Sequence, residues 1–350
     1  MSDKFNFKSL IAVFAVIVIA IFLFFVLTGQ NTPSDERKVV VYTSVDQIFS
    51  EPVLKEYEAE TGVKVLAVYD VEAAKTTGLS NRLLAEKDNP VADVFWNGEF
   101  SKTLLLRDEG VFEPYFSNNS KDIPDEYRDK DGYWTGFGGR ARIILVNTDR
   151  LSPEDYPDSI FDLLDEKYKA EEIAIAYPMF GTTATHASAL YAYLGDEKAK
   201  EYFKSLYSKG VRVVDGNSVV RDLVADGSVS IGLTDTDDAL GAVERGLPVS
   251  IIVPDQGEDQ IGTLVIPNTI ALVKDAPNKN EGRKLIDYLL SKEMESKLVK
   301  SGWFQTTLRD TGEVFDSPIS KTIKGMTVSP DEINLYQKNA SLDMKVIFIR

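Results

Sequence analysis

Three carboxylates crowd the segment Ser230-Ile-Gly-Leu-Thr-Asp-Thr-Asp-Asp-Ala239, where a short apolar run stops at Asp235, Asp237 and Asp238. Val229 to Leu233 has the pattern of a buried parallel strand, and the acids stand where such a strand leaves its sheet. In α/β folds that end opens into a crevice where ligands bind. The alternative is an acidic loop in which one Asp caps a helix beginning near Ala239. Other polar clusters follow apolar runs in the same way. Thr43-Ser44-Val45-Asp46 follows Val39-Val40-Val41-Tyr42, and Asn97-Gly98-Glu99 follows Ala92-Asp93-Val94-Phe95-Trp96. Arg140 and Arg142 immediately precede Ile143-Ile-Leu-Val-Asn147, where each is either a ligand contact or a surface charge and salt-bridge partner. Gly181-Thr182-Thr183 reads as a helix N-terminus, whose unpaired N–H groups and hydroxyls suit an anion, although either threonine could equally be a cap.

Several carboxylates in one hollow raise each other's pKa unless a countercharge is present. A cationic or amine-bearing ligand would supply it, as would a hard metal ion bound by oxygens, with Asp46, Asp237 and Asp238 as candidate metal ligands. Gly181 to Thr183, with Arg140 or Arg142, would hold an oxyanion at the other end. The combination points to a zwitterion such as an aminophosphonate. The rival arrangement, in which the arginines pair with the aspartates and leave a neutral site, stays open at this stage.

The elements that must position these groups alternate along the chain. Val53, Leu54 and Tyr57 mark a helix stopped by Thr61-Gly62, with Asp46 or Ser50 as its cap, and Val63 to Val68 is a second strand. Leu79, Leu83 and Leu84 mark a helix ended by Asn89-Pro90. Ile173 to Tyr177 is a strand, followed by helices to Leu194 and from Lys198 to Ser208, a strand at Gly210 to Val214, and a helix from Val219 to Ala225. His186, the single histidine, falls on a helix and reads as packing or surface. Strands are expected at Val249 to Val253, Gly262 to Ile266 and Thr269 to Lys274. Helices are expected around Leu285 and from Lys292 to Lys300, with Ser301-Gly302-Trp303-Phe304 as a helix stop bearing aromatics. The tail reads as a helix around Ile333 to Tyr336 and a strand at Val346 to Ile349.

Composition narrows the class. The 350 residues are 43% hydrophobic and 27% charged, which is globular, and long enough for two lobes. A net charge of −16 would repel nucleic acid and anionic lipid. The absence of cysteine excludes disulfides and thiolate chemistry. Every residue from Leu10 to Leu27 is apolar, with Lys4 and Lys8 before it, so the sequence predicts a transmembrane signal anchor that places the body outside the cytoplasm. Asn31 to Glu36 is a short polar tether.

Taken in order, these segments resemble extracellular solute-binding proteins of ABC importers, of the two-lobed periplasmic type, in the branch that includes ferric-ion, thiamine, phosphonate and sugar-phosphate binders. The resemblance is carried by Val41-Tyr42-Thr43-Ser44, Glu56-Tyr-Glu-Ala-Glu-Thr61-Gly62-Val-Lys-Val65, Pro90-Val-Ala-Asp93-Val94-Phe95 and Gly139-Arg140-Ala-Arg142. Asn217-Ser218 and Ala225-Asp-Gly227 before Gly232-Leu233 complete it. It implies an α/β, two-lobed periplasmic-binding-protein type II fold behind the membrane helix. The expected divisions are a signal anchor at 1–28, a tether at 29–37, the first part of lobe 1 at 38–142, lobe 2 at 143–247, and a return to lobe 1 with C-terminal helices at 248–350. It also implies ligand contacts at Ser44, Asp46, Asn97, Glu99, Gly181, Thr182, Thr183, Asn217, Asp235, Asp237 and Asp238, with chain crossings near Arg142 to Asn147 and Leu247 to Val253 acting as a hinge. The partners implied are a small-molecule or ion ligand, a membrane permease with its ATPase, and no cofactor. Ferric binders of this branch carry a His after the first strand, a Glu after the third and paired Tyr at the acidic stretch. Here those places hold Asp46, Gly98, Asp237 and Asp238, so ferric binding does not carry over.

No G-x-S-x-G, G-x-x-x-x-G-K-[ST] or H-E-x-x-H motif suggests an enzyme. A carboxylate-based glycoside hydrolase and a tethered sensory ectodomain remain the readings of other classes.

Overall fold

The structure, a computed structural model, describes residues 37–70, 77–313, 315, 319 and 323–348. The expected membrane helix and nearly all of the tether lie outside the described residues. Among the described residues no helix is long and apolar enough to cross a membrane.

The chain opens with β1 (Lys38–Thr43), α1 (Gln47–Thr61), β2 (Lys64–Tyr69), α2 (Thr77–Ala85), β3 (Val94–Asn97), α3 (Ser101–Asp108) and β4 (Phe112–Glu113), and then enters the long β5 (Thr135–Asn147). A second set follows: β6 (Ile173–Ala176), α4 (Gly181–Leu194), α5 (Asp196–Lys209), β7 (Arg212–Val214), α6 (Asn217–Ala225), β8 (Ile231–Asp235), α7 (Thr236–Glu244) and β9 (Val249–Ile252). The chain then returns through β10 (Val265–Val273), α8 (Lys279–Leu289), α9 (Lys292–Lys300) and α10 (Pro330–Ile347).

Two lobes result, with the long strand β5 shared between their sheets and a second crossing from β9 to β10. Residues Thr135 to Ala141 of β5 pair with β10 in a sheet ordered β2-β1-β3-β10-β5. From Arg142 onward β5 pairs with β8 on one side and, from Ile144, with β9 on the other, in a sheet continuing through β6 and β7. The parallel strands β1, β3, β6 and β8 are mainly apolar and almost wholly buried, as strands covered on both faces must be. Gly62 ends α1 in the left-handed region at φ 65°, its N–H donating to the Glu58 carbonyl.

Close approach explains the glycines of β5. A Cβ on Gly138, whose φ is +50°, would lie 2.0 Å from the Phe304 ring. That ring meets Phe137 edge-on at 5.3 Å, and Phe137 in turn packs on Trp96 at 5.8 Å. Glu295, fully buried on α9, accepts the N–H groups of Gly138 (2.9 Å) and Leu308 (2.8 Å) and the Arg309 guanidinium (2.7 Å). The segment after α9 is therefore clamped along β5. This clamp sets the position of Trp303.

Three elements differ from expectation. The two strands predicted at Gly262 to Ile266 and Thr269 to Lys274 are one, β10, whose register shifts between Pro267 and Asn268. The bulge is on β5, where Gly138 is left without a partner opposite β10, so β10 runs through Pro267 instead of ending. The tail is a single helix with no strand at Val346 to Ile347. Ser329 and Glu332 form a reciprocal capping box with Pro330 in the first turn. Finally, α7 starts at Thr236, ahead of Ala239, so Asp237 and Asp238 sit in a helical first turn and not in a loop. Helix α10 packs on α4 and α5 and reaches the first lobe through Arg107 and Asp331 at 2.6 Å.

Candidate functional site

At the end of β8 the acidic stretch is tied down from within. Arg142 lies directly across from Asp235 in the antiparallel β5–β8 pair, and its guanidinium, wholly buried, donates to Asp235 Oδ1 at 2.7 Å. Asn217 Nδ2 donates to Asp235 Oδ2 at 2.9 Å, and the Thr182 hydroxyl donates to the same oxygen. Arg142 also reaches Asn217 Oδ1 at 3.0 Å, which the Thr183 hydroxyl shares at 3.3 Å. Helices α4, α6 and α7 all begin here, at Gly181, Asn217 and Thr236. Helix N-termini favour a negative charge, and the protein's own Asp235 supplies it. Thr182, expected to help hold a ligand oxyanion, and Asn217, expected as a ligand contact, both bond to Asp235 here. Asp235 occupies the N-cap position of α7 but makes no side-chain cap bond.

His186 packs behind this network and is 4% exposed. Burial, with the Arg142 charge as a smaller contribution, pushes its pKa down from 6.5 to about 3, so the imidazole is neutral.

The other two acids have arginines of their own. Asp238 meets Arg221 at 3.1 Å, and burial, reinforced by Asp237 and Asp235, pushes its pKa up to about 7. Asp237 faces Arg140 at a long 3.5 Å with 43% of its side chain exposed. Carboxylate oxygens of Asp235, Asp237 and Asp238 lie within 4.8 Å of one another, a spacing that could hold an ion. A guanidinium already faces each of them, so the countercharge expected from a ligand or a metal is largely internal here. This chemistry is a poor fit to a hard dication, which would compete with three fixed positive charges.

In the first lobe, Ser44, Asn97 and Glu99 build a turn. The Ser44 hydroxyl donates to Asn97 Oδ1 and accepts the Gly98 N–H at 3.0 Å. Asn97 Nδ2 donates to the Glu99 carbonyl at 2.6 Å, and the Glu99 carboxylate accepts the Ser101 and Lys102 N–H groups at the start of α3. Their described bonds are those of a strand-to-helix junction. Asp46 stands at the N-cap position of α1 without a side-chain cap bond, and Ser50 bonds backward to the Val45 carbonyl at 3.2 Å. Asp46 thus holds the N-cap position expected from the sequence, while Ser50, the alternative, lies inside the helix.

Between the lobes is a cavity of about 270 Å³. Asp46, Phe49, Asn268 and Trp303 line it from the first lobe, Asp237 and Glu244 from the second, and Arg140 at the join. Of the ligand contacts expected from the sequence, Asp46, Arg140 and Asp237 line it. Phe49, Asn268, Trp303 and Glu244 were not anticipated as site residues. The signals were faint: an aromatic just past a helix stop, and an Asn after a proline within a strand.

The profile of the family described as bacterial extracellular solute-binding protein matches residues 89–327. The chain belongs to that family. The extracellular character of the family places the folded body outside the cytoplasm, as the resemblance implied. Its relatives include Iron uptake protein A1 of Synechocystis sp., 26% identical over 78% of this chain and 76% of the relative. A putative 2-aminoethylphosphonate-binding periplasmic protein of Salmonella typhimurium is 24% identical over 88% of this chain and 89% of its own length. Among solved structures, Mannheimia haemolytica ferric iron-binding protein A in an open conformation superposes with a TM-score of 0.78 at 22% identity, covering 89% of this chain and 98% of that one. That likeness is one of fold. This chain is thus a two-lobed solute-binding protein.

Proposed function

We propose that this solute-binding protein is tethered to the membrane by residues 10–27 and captures a small cationic or zwitterionic organic solute between its lobes, for delivery to a permease. The observation that carries the reading is the lining of the interlobe cavity: three carboxylates, Asp46, Asp237 and Glu244, stand against the single guanidinium of Arg140. Asp237 meets Arg140 only at 3.5 Å, unlike Asp235, which Arg142 holds at 2.7 Å. A ligand ammonium would balance the excess, and an oxyanion on the same molecule would take Arg140 from its weak contact with Asp237. Kinship with a 2-aminoethylphosphonate-binding relative supports a ligand of that class.

The mechanism needs no bond chemistry. Contacts to both lobes favour the closed state over the open one by the difference in binding free energy between them. β5, which passes from one sheet to the other at Ala141 and Arg142, and the link from β9 to β10 would serve as the hinge. Isothermal titration of the full chain in detergent with amines, aminophosphonates, sugar phosphates and ferric citrate tests the ligand class, with small-angle scattering reporting compaction. Heat and compaction with an ammonium-bearing compound are expected. Heat from ferric citrate alone would sink the reading. The anchor predicts that the protein stays in the membrane fraction after high-salt and carbonate washes, and release into the soluble fraction contradicts it.

A further inference from the structure

The wall of the interlobe cavity is aromatic on one side, and the fold goes to some length to place it. Trp303 follows the last turn of α9, its backbone N–H turned back to the Leu298 carbonyl at 3.1 Å. Phe304 beside it is buried against Phe137, which anchors the segment. The indole N–H donates to Asn268 Oδ1 at 3.0 Å, and Asn268 lies where the β5–β10 register shifts, opposite the bulge that leaves Gly138 of β5 without a partner in the pairing. The Asn268 side chain supplies the acceptor that orients the indole. Phe49 from α1 packs against it with ring centroids 5.1 Å apart at 37°. A Cβ on Gly98 would already lie 3.6 Å from the indole ring, so the turn built by Ser44 and Asn97 backs the wall from behind. Both aromatics border the same cavity as Asp46, Asp237 and Glu244.

An aromatic face beside carboxylates attracts one kind of guest. The ring quadrupole draws an organic cation whose positive charge is spread over C–H or N–H groups, and neighbouring carboxylates add the net attraction. A bare hard metal ion gains nothing from an indole, because it needs several oxygen ligands in its place. We propose that Trp303, held by Asn268 and backed by Phe49, is the specificity-determining residue of the cleft, seating the ammonium-bearing end of an organic ligand and excluding free metal ions as cargo. This rests on the interlobe capture reading and names the recognising side chain.

Tryptophan fluorescence and isothermal titration of the full chain with choline, 2-aminoethylphosphonate and ferric citrate test it. Of the three tryptophans, Trp96 and Trp134 are buried and Trp303 is half-exposed, so a ligand-dependent emission change reports on Trp303. At least one of the two ammonium compounds is expected to bind with an emission change. Trp303→Ala should lose roughly tenfold or more in affinity, and Trp303→Phe, which keeps a ring, should stay within about threefold of the parent. A thermal melt of each variant establishes that it is folded. Unchanged affinity in Trp303→Ala overturns the role of Trp303 while leaving interlobe capture standing. Binding of ferric citrate with no response to either amine overturns both the role and the ligand class. No response to any of the three probes by the parent chain also overturns the assignment of an ammonium seat.

Discussion

Two acid–arginine groupings lie within one turn of the same helix start and behave differently. At Asp235 the carboxylate and its arginine are buried, and Thr182, Thr183 and the partly buried Asn217 complete the network around them. At Asp237 the partner is 3.5 Å away, nearly half the side chain is wet, and the wall beyond it belongs to the other lobe. Charge and residue type are the same. What separates a structural group from a recognising one is whether its countercharge is satisfied before a ligand arrives. A saturated network holds a hinge-side strand in register, whereas an under-satisfied one has binding energy left to give.

The largest expected effect tests the saturated side. Arg142→Met leaves Asp235 buried without its cation and should cost about 3–5 kcal/mol of stability in urea unfolding, the range for breaking a buried pair. A loss below about 1 kcal/mol would mean that the two groupings do not differ as described. A pH titration of stability sharpens the same point through His186, whose pKa is held at about 3 against an ordinary 6.5. Because the folded value is the lower one, the unfolded chain takes up the proton first. The contribution is present in full above pH 6.5 and is lost as pH falls toward 3, by up to about 1.4 kcal/mol per unit. His186→Leu should flatten that slope in melts between pH 7 and 5, and an unaltered slope would place its cause elsewhere. Next comes the helix that ties the lobes. Ser329→Ala removes the capping box of α10 and should cost about 1 kcal/mol by thermal unfolding. The smallest effect belongs to the wet side: Asp237→Asn should change stability by less than about 1 kcal/mol, as exposed pairs do, and show itself in ligand affinity instead. A large stability loss in that variant would collapse the contrast between the two groupings.

Much of the element order was legible because its signals are local. Gly62 after an amphipathic run, β-branched runs ending in polar turns, and a helix from Gly181 to Gly195 follow from period and backbone preference alone. The tail was misread although its signal was also local: Ser329-Pro-Asp-Glu332 is a capping pattern followed by helical spacing, and the β-branched Val346 to Ile349 outweighed it. β10 was read as two strands, where the structure has one that continues past the point at which its pairing with β5 shifts register around Gly138.

The site was legible only in outline. That acids, arginines and hydroxylated helix starts would gather at strand ends follows from the sequence, since α/β strands expose their ends to a crevice whatever the ligand. Which acid is neutralised does not follow. Arg142 and Asp235 are 93 residues apart and meet only through strand pairing. Trp303 faces the cleft because Phe304 is locked into the core and Asn268, from a remote strand, accepts its indole N–H. The sequence by itself determined the elements, the acidic character and the family of this protein, because those depend on periodicity, composition and ordered segments. Only the tertiary structure decided which charges are spent on each other and which still face a cavity, because desolvation and pairing are properties of distances between segments remote along the chain.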